Sequence, residues 1–530
     1  MSDVAEIVQR LELLEQQFAT AQHERDEYRR LYLEMMEKCR MLERGLLGSK
    51  SEHLSKDGPQ LSFDVLSMVL NDRQRAELEA ALAAANAEQE IPAHTRRKPT
   101  GRKPIAEHLP RVEIEIIPPE VERAGLDAFD RIGQEVSEVI ERRPASVVVA
   151  RIIRPKFVPK ERERDAPTAV FIAKPPEQPI PKGLAGPGML ADTIVKRWQD
   201  HIPLNRLEDV YGRDGIELAR STICGWHGEL AELVKPLVAA MRDDAFEQPY
   251  LCVDATGVLV QQPEKCRWGH FWVLVAPQRH VLFEYTAEHS SDAVDEVLAG
   301  YRGYLVADAH AVYDHLYSTG DVVEVNCWAH ARRYFFKALT SDPDRAKTAL
   351  TLIGALFRIE RTIADSPRKK REKIRQKRSA PIVERFLSWC DEEALHVLDD
   401  TPISDGIRYS RNQRVGLSRF LEDGRLPLHN NRSELELRRE AVGRKNWLFI
   451  GNDEAGEVNA VLVSLLASCR LCDVEPWSYL RDVFCLLPTW PEHRLLELAP
   501  LNWPRTSELD EVRALLARNP FRKLTLAAAN

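Results

Sequence analysis

No segment of this chain is apolar over enough length to span a bilayer; the longest apolar stretches, such as Ala460 to Cys469, fall well short of the roughly 20 residues a membrane helix needs. The acidic amino terminus has no signal-peptide pattern either. Both absences point to a cytoplasmic protein with no membrane partner. An excess of positive charge is also missing: 74 lysines and arginines stand against 82 aspartates and glutamates, a formal net charge of -8. That balance excludes a uniformly basic coat for nucleic acid, so any such contact has to come from local basic clusters. The nine cysteines follow no regular spacing, which excludes a disulfide framework and suits reduced thiols; none falls between Cys39 and Cys224. What remains is a chain of 530 residues, 44% hydrophobic and 29% charged, long enough for several modules and a sizeable catalytic core.

From Ile7 onward, Leu11, Leu14, Phe18, Ala21, Arg25, Tyr28, Tyr32, Met35, Cys39, Leu42 and Leu46 follow alternating steps of four and three. This heptad seam predicts a coiled coil over 1–47 that pairs with a second copy, an intramolecular helical hairpin being the structural alternative. A linker over 48–110 carries a basic run at 95–104, where Pro and Gly oppose a helix so that Arg102 and Lys103 can follow a phosphate backbone; a solvated linker explains the run as well. Short alternating runs at 112–117 and 146–153 predict a small β-rich lobe over 111–160. Prolines concentrated in 161–187 mark a stiff linker. The next segment, 188–245, reads as helical. A short helix over 204–211, a turn at 212–215 and a second helix capped by Ser221 resemble a DNA-binding helix-turn-helix, although ordinary packed helix pairs look the same.

The period then switches. Residues 250–260, 270–275 and 280–285 are three β runs at hairpin spacing, with Asp254 in the first. A helix through 292–298 follows, then a fourth strand over 303–308 that ends on Asp308, and a fifth over 322–326. Three antiparallel strands, a helix and further strands with crossovers is the order of an RNase H-like fold of the α/β class, a mixed five-stranded sheet with helices. In that fold the first and fourth strands are neighbours, so Asp254 and Asp308 would meet at one edge of the sheet. Adjacent carboxylates repel unless a cation lies between them. Magnesium takes oxygen ligands while keeping positions for water or phosphate, and two ions about 3.5–4 Å apart stabilise both the attacking and the leaving oxygen of a phosphodiester. A further acid, Glu434, sits downstream on a basic helix. Each acid also has a plain structural explanation. Asp254 would be a turn residue before Thr256-Gly257, Asp308 the cap of a helix starting near His310, and Glu434 the far half of a capping box opened by Asn431.

His429-Asn-Asn-Arg-Ser-Glu-Leu-Glu-Leu-Arg438 and Gly443-Arg-Lys-Asn-Trp-Leu-Phe449 resemble the carboxyl-terminal acid motif of transposases of the insertion sequence 66 family. Cys327-Trp-Ala-His-Ala-Arg-Arg-Tyr-Phe335 is similar to another family block, as are Val253-Asp-Ala-Thr256 and Ala307-Asp308. Gly101-Arg-Lys-Pro104, Pro203-Leu-Asn-Arg206 and Leu498-Ala-Pro-Leu-Asn-Trp503 extend the similarity, in order, over nearly the whole chain. The resemblance implies a DDE transposase that cuts the ends of its element and joins the freed 3′-hydroxyls to target DNA. Asp254, Asp308 and Glu434 would be its catalytic acids, holding two magnesium ions for which manganese can substitute. It further implies that an RNase H-like core, 246–335 and 429–470, is interrupted by a mostly helical insertion over 336–428 and followed by a family tail over 471–530. Arg438, Arg444 and Lys445 would neutralise phosphate near the scissile bond, and the basic run 368–378 of the insertion would be a further phosphate-contacting patch. The partners implied are terminal-repeat and target DNA, a second copy of the chain, and small accessory proteins of the same element.

The chain departs from the family pattern in places. Family members carry paired cysteines of a zinc-binding module around the β-rich lobe, whereas this chain has Ala124–Phe129 and Phe157–Glu163 there, so no four-coordinate zinc is expected. Cys327 and His330 are too few for a metal site and read as packing residues. Leu435 stands where an arginine is usual, His429 where an aspartate is, and Ala309-His310 replaces Gly-Tyr. Two other functions fit the same residues: a structure-selective nuclease on this fold, and a DNA-binding or oligomerising protein that has lost catalysis.

Overall fold

The computed structural model describes residues 109–143, 146–160 and 170–526, together with residues 32, 35, 105 and 107. Arg102 and Lys103 lie outside the described residues, as does the segment 1–47 apart from Tyr32 and Met35, which are helical and exposed. The architecture is mixed α/β. Cys327–Leu428 form one compact unit, and the described residues of 105–326 and of 429–526 form a second.

The second unit opens with a small sheet of β1 (Arg111–Glu115), β2 (Phe129–Arg143), β3 (Ser146–Pro159) and β4 (Phe171–Ile172). β3 is central, with β2 antiparallel along one side and β1, parallel, and β4, antiparallel, on the other. The alternating runs expected as strands are β1 and β3. β2 is not announced by alternation because most of its side chains are exposed. Val148, Ala150 and Ile152 of β3 bury with Val139 against Phe521 and Leu524 of the helix Pro520–Leu526. Val147 and Val149 are also buried, but successive strand residues point to opposite faces, which puts them on the other side from Ile152. Glu141 of β2 is fully buried, its Oε1 accepting the N–H groups of Arg142 and Met189 at 2.7 Å each. Met189 belongs to the first turn of α1 (Pro187–Ile194), so the carboxyl meets a helix amino terminus. Burial pushes its pKa up to about 8 against those hydrogen bonds.

Two helices follow, α2 (Leu204–Arg213) and α3 (Arg220–Phe246). They bury Leu207 and Tyr211 on one and Ile223 and Trp226 on the other. Ser221 does not cap α3: the cap position is Ala219, and Ser221 lies inside the first turn.

The large sheet is built from β5 (Tyr250–Val260), β6 (Arg267–Ala276) and β7 (His280–Thr286), then α4 (Ser291–Val297), β8 (Gly303–Ala307) and β9 (Val322–Asn326). After the insertion come α5 (Asn431–Trp447), β10 (Phe449–Ile450) and α6 (Asp453–Leu471). The strand order is β7-β6-β5-β8-β9, with β10 beside β5, so the sheet has six strands rather than five. β10 escapes the alternation rule because it is only two residues long. β5 pairs antiparallel with β6 and parallel with β8, so the first and fourth strands are indeed neighbours.

β7 is an edge strand, and an uncovered edge would leave its polar backbone unpaired. α6 covers it. The Ser464 hydroxyl accepts the Phe283 N–H at 2.7 Å, and the Ser468 hydroxyl accepts the Val281 N–H and reaches the Val281 carbonyl, both at 3.0 Å. Gly456, Ala460, Ser464 and Ser468 recur every four residues and so share one helix face. Their small size lets the helix approach: a Cβ at Gly456 would stand 2.6 Å from the Tyr285 ring. Ser464→Val and Ser468→Val should each lower stability by about 1–3 kcal/mol, because each strands a buried N–H. Urea unfolding tests this, and unchanged midpoints would mean that water reaches the edge.

The unit Cys327–Leu428 is helical. Trp328 and Phe335 of the helix Trp328–Ala338 meet Phe386 of the helix Ala380–Glu393, with ring centroids 5.2 and 5.7 Å apart. Arg375, from the basic run, is fully buried at the centre of a hydrogen-bond cluster. It donates to both Glu360 carboxylate oxygens at 2.8 and 2.7 Å and to the carbonyls of Phe420, Asp423 and Leu426 at 2.7–2.9 Å. Arg368 pairs with Asp423 and Arg371 with Glu360. Lys369, Lys370, Lys373, Lys377 and Arg378 are exposed, so the run divides into a structural set and a solvent-facing set. Among the described residues no helix is long and apolar enough to cross a membrane.

Candidate active site

Asp254 lies in the body of β5 and is half-buried, and its Oδ1 accepts the N–H of Ala255 at 2.8 Å. It is not a turn residue. Asp308 follows the last residue of β8. The two strands pair in parallel as Tyr250↔Tyr304, Leu251↔Leu305 and Cys252↔Val306. Continued two residues further, this register sets Asp254 opposite Asp308. Both are close enough to the buried Tyr313 hydroxyl for their charges, after burial itself, to push the phenol well above its ordinary pKa. Nor does Asp308 cap a helix, because the short turn Ala311–Tyr313 is capped by the His310 ring, which accepts the Val312 N–H at 3.3 Å. His310 stands 4.7 Å, ring to ring, from His289, which stacks on Trp272 at 4.9 Å. Burial, and then the charge of His310, lowers the pKa of His289, with Asp308 opposing.

Glu434 is in the first turn of α5 and is half-buried. The helix is fastened to β5 at two points. Buried Asn430, at the cap position, donates its carboxamide N–H to the Val253 carbonyl at 2.7 Å, one residue from Asp254. Towards the other end, an Arg444 guanidinium nitrogen donates to the Thr256 hydroxyl at 3.0 Å and to the Gly257 carbonyl. β5 leaves β8 after Cys252 and meets β10 only from Leu259, so the intervening backbone needs donors that no strand supplies. Because Asn430 is spent on β5, its side chain does not bond the first turn of its own helix. The capping box opened by Asn431 that would explain Glu434 by itself is not formed either, because Asn431 is the first residue of the helix rather than its cap.

The other acids of α5 are engaged inside the protein. Glu436 pairs with Arg470, and Glu440 accepts from Asn459 at 3.1 Å, burial pushing its pKa up to about 7. Opposite Glu440 is the charge of Arg197, itself buried over the rings of Trp198 and Trp447, and its pKa is drawn down to about 10 by burial. The exposed charges of the helix are all positive: Arg432, Arg438 and Lys445. Arg438 and Lys445 thus face solvent, while Arg444 is committed to β5. The β5–β8 pairing ends two residues before Asp254 and Asp308, and Asn430 fastens the start of α5 one residue from Asp254, while among the described residues no three His, Cys, Asp or Glu side chains converge closely enough to hold a metal. Sequence reasoning had assigned no role to Asn430 or to the Arg197–Glu440 pair. Asn430 does stand within the His429-Asn-Asn string, but which of two adjacent asparagines turns inward depends on the sheet.

Residues 182–458, slightly more than half of the chain, match the family model described as Transposase IS66 family. The chain belongs to the IS66 transposase family. Residues 34–114 match the model described as Transposase C of IS166 homeodomain, and 464–501 that described as IS66 C-terminal element. Two similar proteins of Sinorhizobium fredii, each named only as uncharacterized, are y4hP and y4qI. The first is 28% identical over 497 residues, covering 89% of this chain and 88% of its own. The second is 29% identical over 465 residues, covering 83% and 85%. In this IS66-family chain Asp254, Asp308, Glu434 and the cations of α5 all fall within the longest matched segment, whereas β2 and β3 fall in none of the three.

Proposed function

We propose that the chain is the DDE transposase of an insertion sequence, which cuts the element's ends and joins the freed 3′-hydroxyls to target DNA, with Asp254, Asp308 and Glu434 as its catalytic carboxylates. The observation that carries this reading is the parallel β5–β8 register on which Asp254 and Asp308 align, beside a helix that presents Glu434 and is fastened to the same strand. We assign the six-stranded sheet to the RNase H-like class on its strand order, with the helical unit as the insertion between the second and third acids. We further assign the seam over 1–47 to pairing with a second copy, and Arg102 and Lys103 to backbone contact.

The donors are oxygen-only carboxylates, which fits magnesium, or manganese in its place, and excludes a thiolate-seeking ion. Asp254 and Asp308 would hold it and Glu434 would complete the set. When bound, the cation polarises the scissile phosphate and makes water a stronger nucleophile. The chain's own groups do the rest. Asn430 holds the start of α5 against the strand that bears Asp254, Arg444 holds its far end, and exposed Arg438 and Lys445 neutralise the approaching phosphates. Zinc has no part in the β-rich lobe in this reading, since Ala124–Phe129 and Phe157–Glu163 offer no thiolate ligands.

Purified full-length chain, given duplexes that end in the element's terminal repeat, should leave nicks with free 3′-hydroxyls in magnesium or manganese. Chelation should abolish them. Nicking that persists in EDTA would overturn the metal assignment, and cutting of any branched DNA without preference for the repeat would favour a structure-selective nuclease.

A further inference from the structure

We infer that the tip of the large sheet beyond the carboxylates is a stacking platform for unpaired bases of the DNA end, a subsite that rests on the transposase reading above. Leu259 of β5 is in register with Trp268 of β6 on one side and with Phe449 of β10 on the other, so the three side chains form one row on one face. The opposite face at the same place, Val258, Val260 and Ile450, is buried and anchors the tip. The row itself is open: Trp268 is 61% exposed and Phe449 41%, and Leu448 beside it is 63% exposed in the left-handed region at φ 64°. The indole does not wave freely. A Cβ at Gly257 would stand 2.9 Å from its ring, so the glycine lets Trp268 lie against the β5 backbone with its other side turned to water.

The charge along α5 favours a polyanion as occupant, and of the acids beside the tip Asp453 is already engaged by Arg267 and the Tyr285 hydroxyl. α5 leads from its first turn, with Glu434, to the cap residue Leu448 and on to Phe449 of β10, and its exposed charges are Arg432, Arg438 and Lys445. A polyanion leaving the carboxylates along this face would be carried onto the platform. A second copy of the chain would bring the same cations against themselves in a twofold contact, which like-charge repulsion disfavours. Leu259 lies about 17 Å from Asp254 along β5 at roughly 3.3 Å per residue. At roughly 3.4 Å per nucleotide that reaches about five positions from the cut. Exposed aromatic faces bind unpaired bases of any sequence by stacking, because every base presents a π face.

The test uses full-length protein and terminal-repeat duplexes carrying 2-aminopurine singly at each of the positions flanking the cut. Binding without metal should change the emission at one or two positions within about five of the cut. Trp268→Ala should abolish that change and weaken binding to ends with single-stranded extensions by about 5- to 100-fold, while Trp268→Phe should retain both. An emission profile and affinity unaltered in Trp268→Ala, with unaltered circular dichroism, would overturn the platform even if wild-type protein nicks normally. Dissociation of DNA-free oligomers by Trp268→Ala, with the profile unchanged, would overturn it in favour of a self-interface. Failure of the wild-type chain either to bind or to nick the repeat would remove the transposase reading and the platform with it.

Discussion

Asp254→Asn is expected to reduce strand cleavage by at least about 100- to 1,000-fold while leaving end binding intact, since charge-stabilising groups in phosphodiester and acyl chemistry carry effects of that order. The substitution is nearly isosteric. Its remaining oxygen can still accept the Ala255 N–H, and the half-buried site in the middle of β5 keeps its packing, so a loss of activity would report charge rather than folding. Asp308→Asn should behave alike, and the double variant should be little worse than either single one, because residues that serve one reaction as a unit are not additive. Glu434→Gln separates the possibilities further: it removes charge from the first turn of α5 without touching Asn430 or Arg444, which hold that helix to β5. Cleavage assays with mobility shifts in EDTA read both quantities. Wild-type cleavage by Asp254→Asn would sink the assignment.

Arg375→Met should cost the insertion about 3–5 kcal/mol, the range for removing one partner from a buried ion pair. Methionine keeps most of the aliphatic volume but leaves Glu360 without its bidentate partner and three carbonyls without the donor they share. The loss should appear in urea unfolding or hydrogen exchange, concentrated in the unit Cys327–Leu428. Lys377→Met, two residues on and exposed, should change stability by no more than about 0.5 kcal/mol. Equal effects of the two would mean that Arg375 is not the centre of that unit.

The acids and the buried arginine differ in how legible they were in the chain. β5 and β8 were legible as apolar runs, one carrying Asp254 in its body and the other followed by Asp308, and strand order alone makes neighbours of the two strands. The basic run 368–378 was legible only as charge. Nothing in its spacing says that Arg375 enters the core while Lys373 and Lys377 remain in water, since that depends on where Phe420, Asp423 and Leu426 bring their carbonyls. α6 illustrates the same limit. Two serines in an apolar helix look like interruptions, yet they are the groups that replace a neighbouring strand for β7. β2 was missed because its exposed polar side chains hide an alternation that the backbone nonetheless obeys. Glu434 was ambiguous in sequence between capping and chemistry; the fold removes the capping box, since Asn431 is the first helical residue rather than the cap, and leaves the chemistry to the cleavage assay.

The core shared by β3 and the helix Pro520–Leu526 bears on the order of events during synthesis. Val148 and Phe521 are separated by roughly 370 residues, so this lobe makes contacts of very high sequence separation. At typical translation rates of about 5–20 residues per second, β3 waits some tens of seconds for Phe521 and Leu524 to emerge. The lobe then closes only on a chain whose downstream sheet and helices have already been made. A product that stops short of Phe521 would therefore carry this lobe unfinished, which ties its assembly to prior synthesis of the whole stretch that bears the three acids.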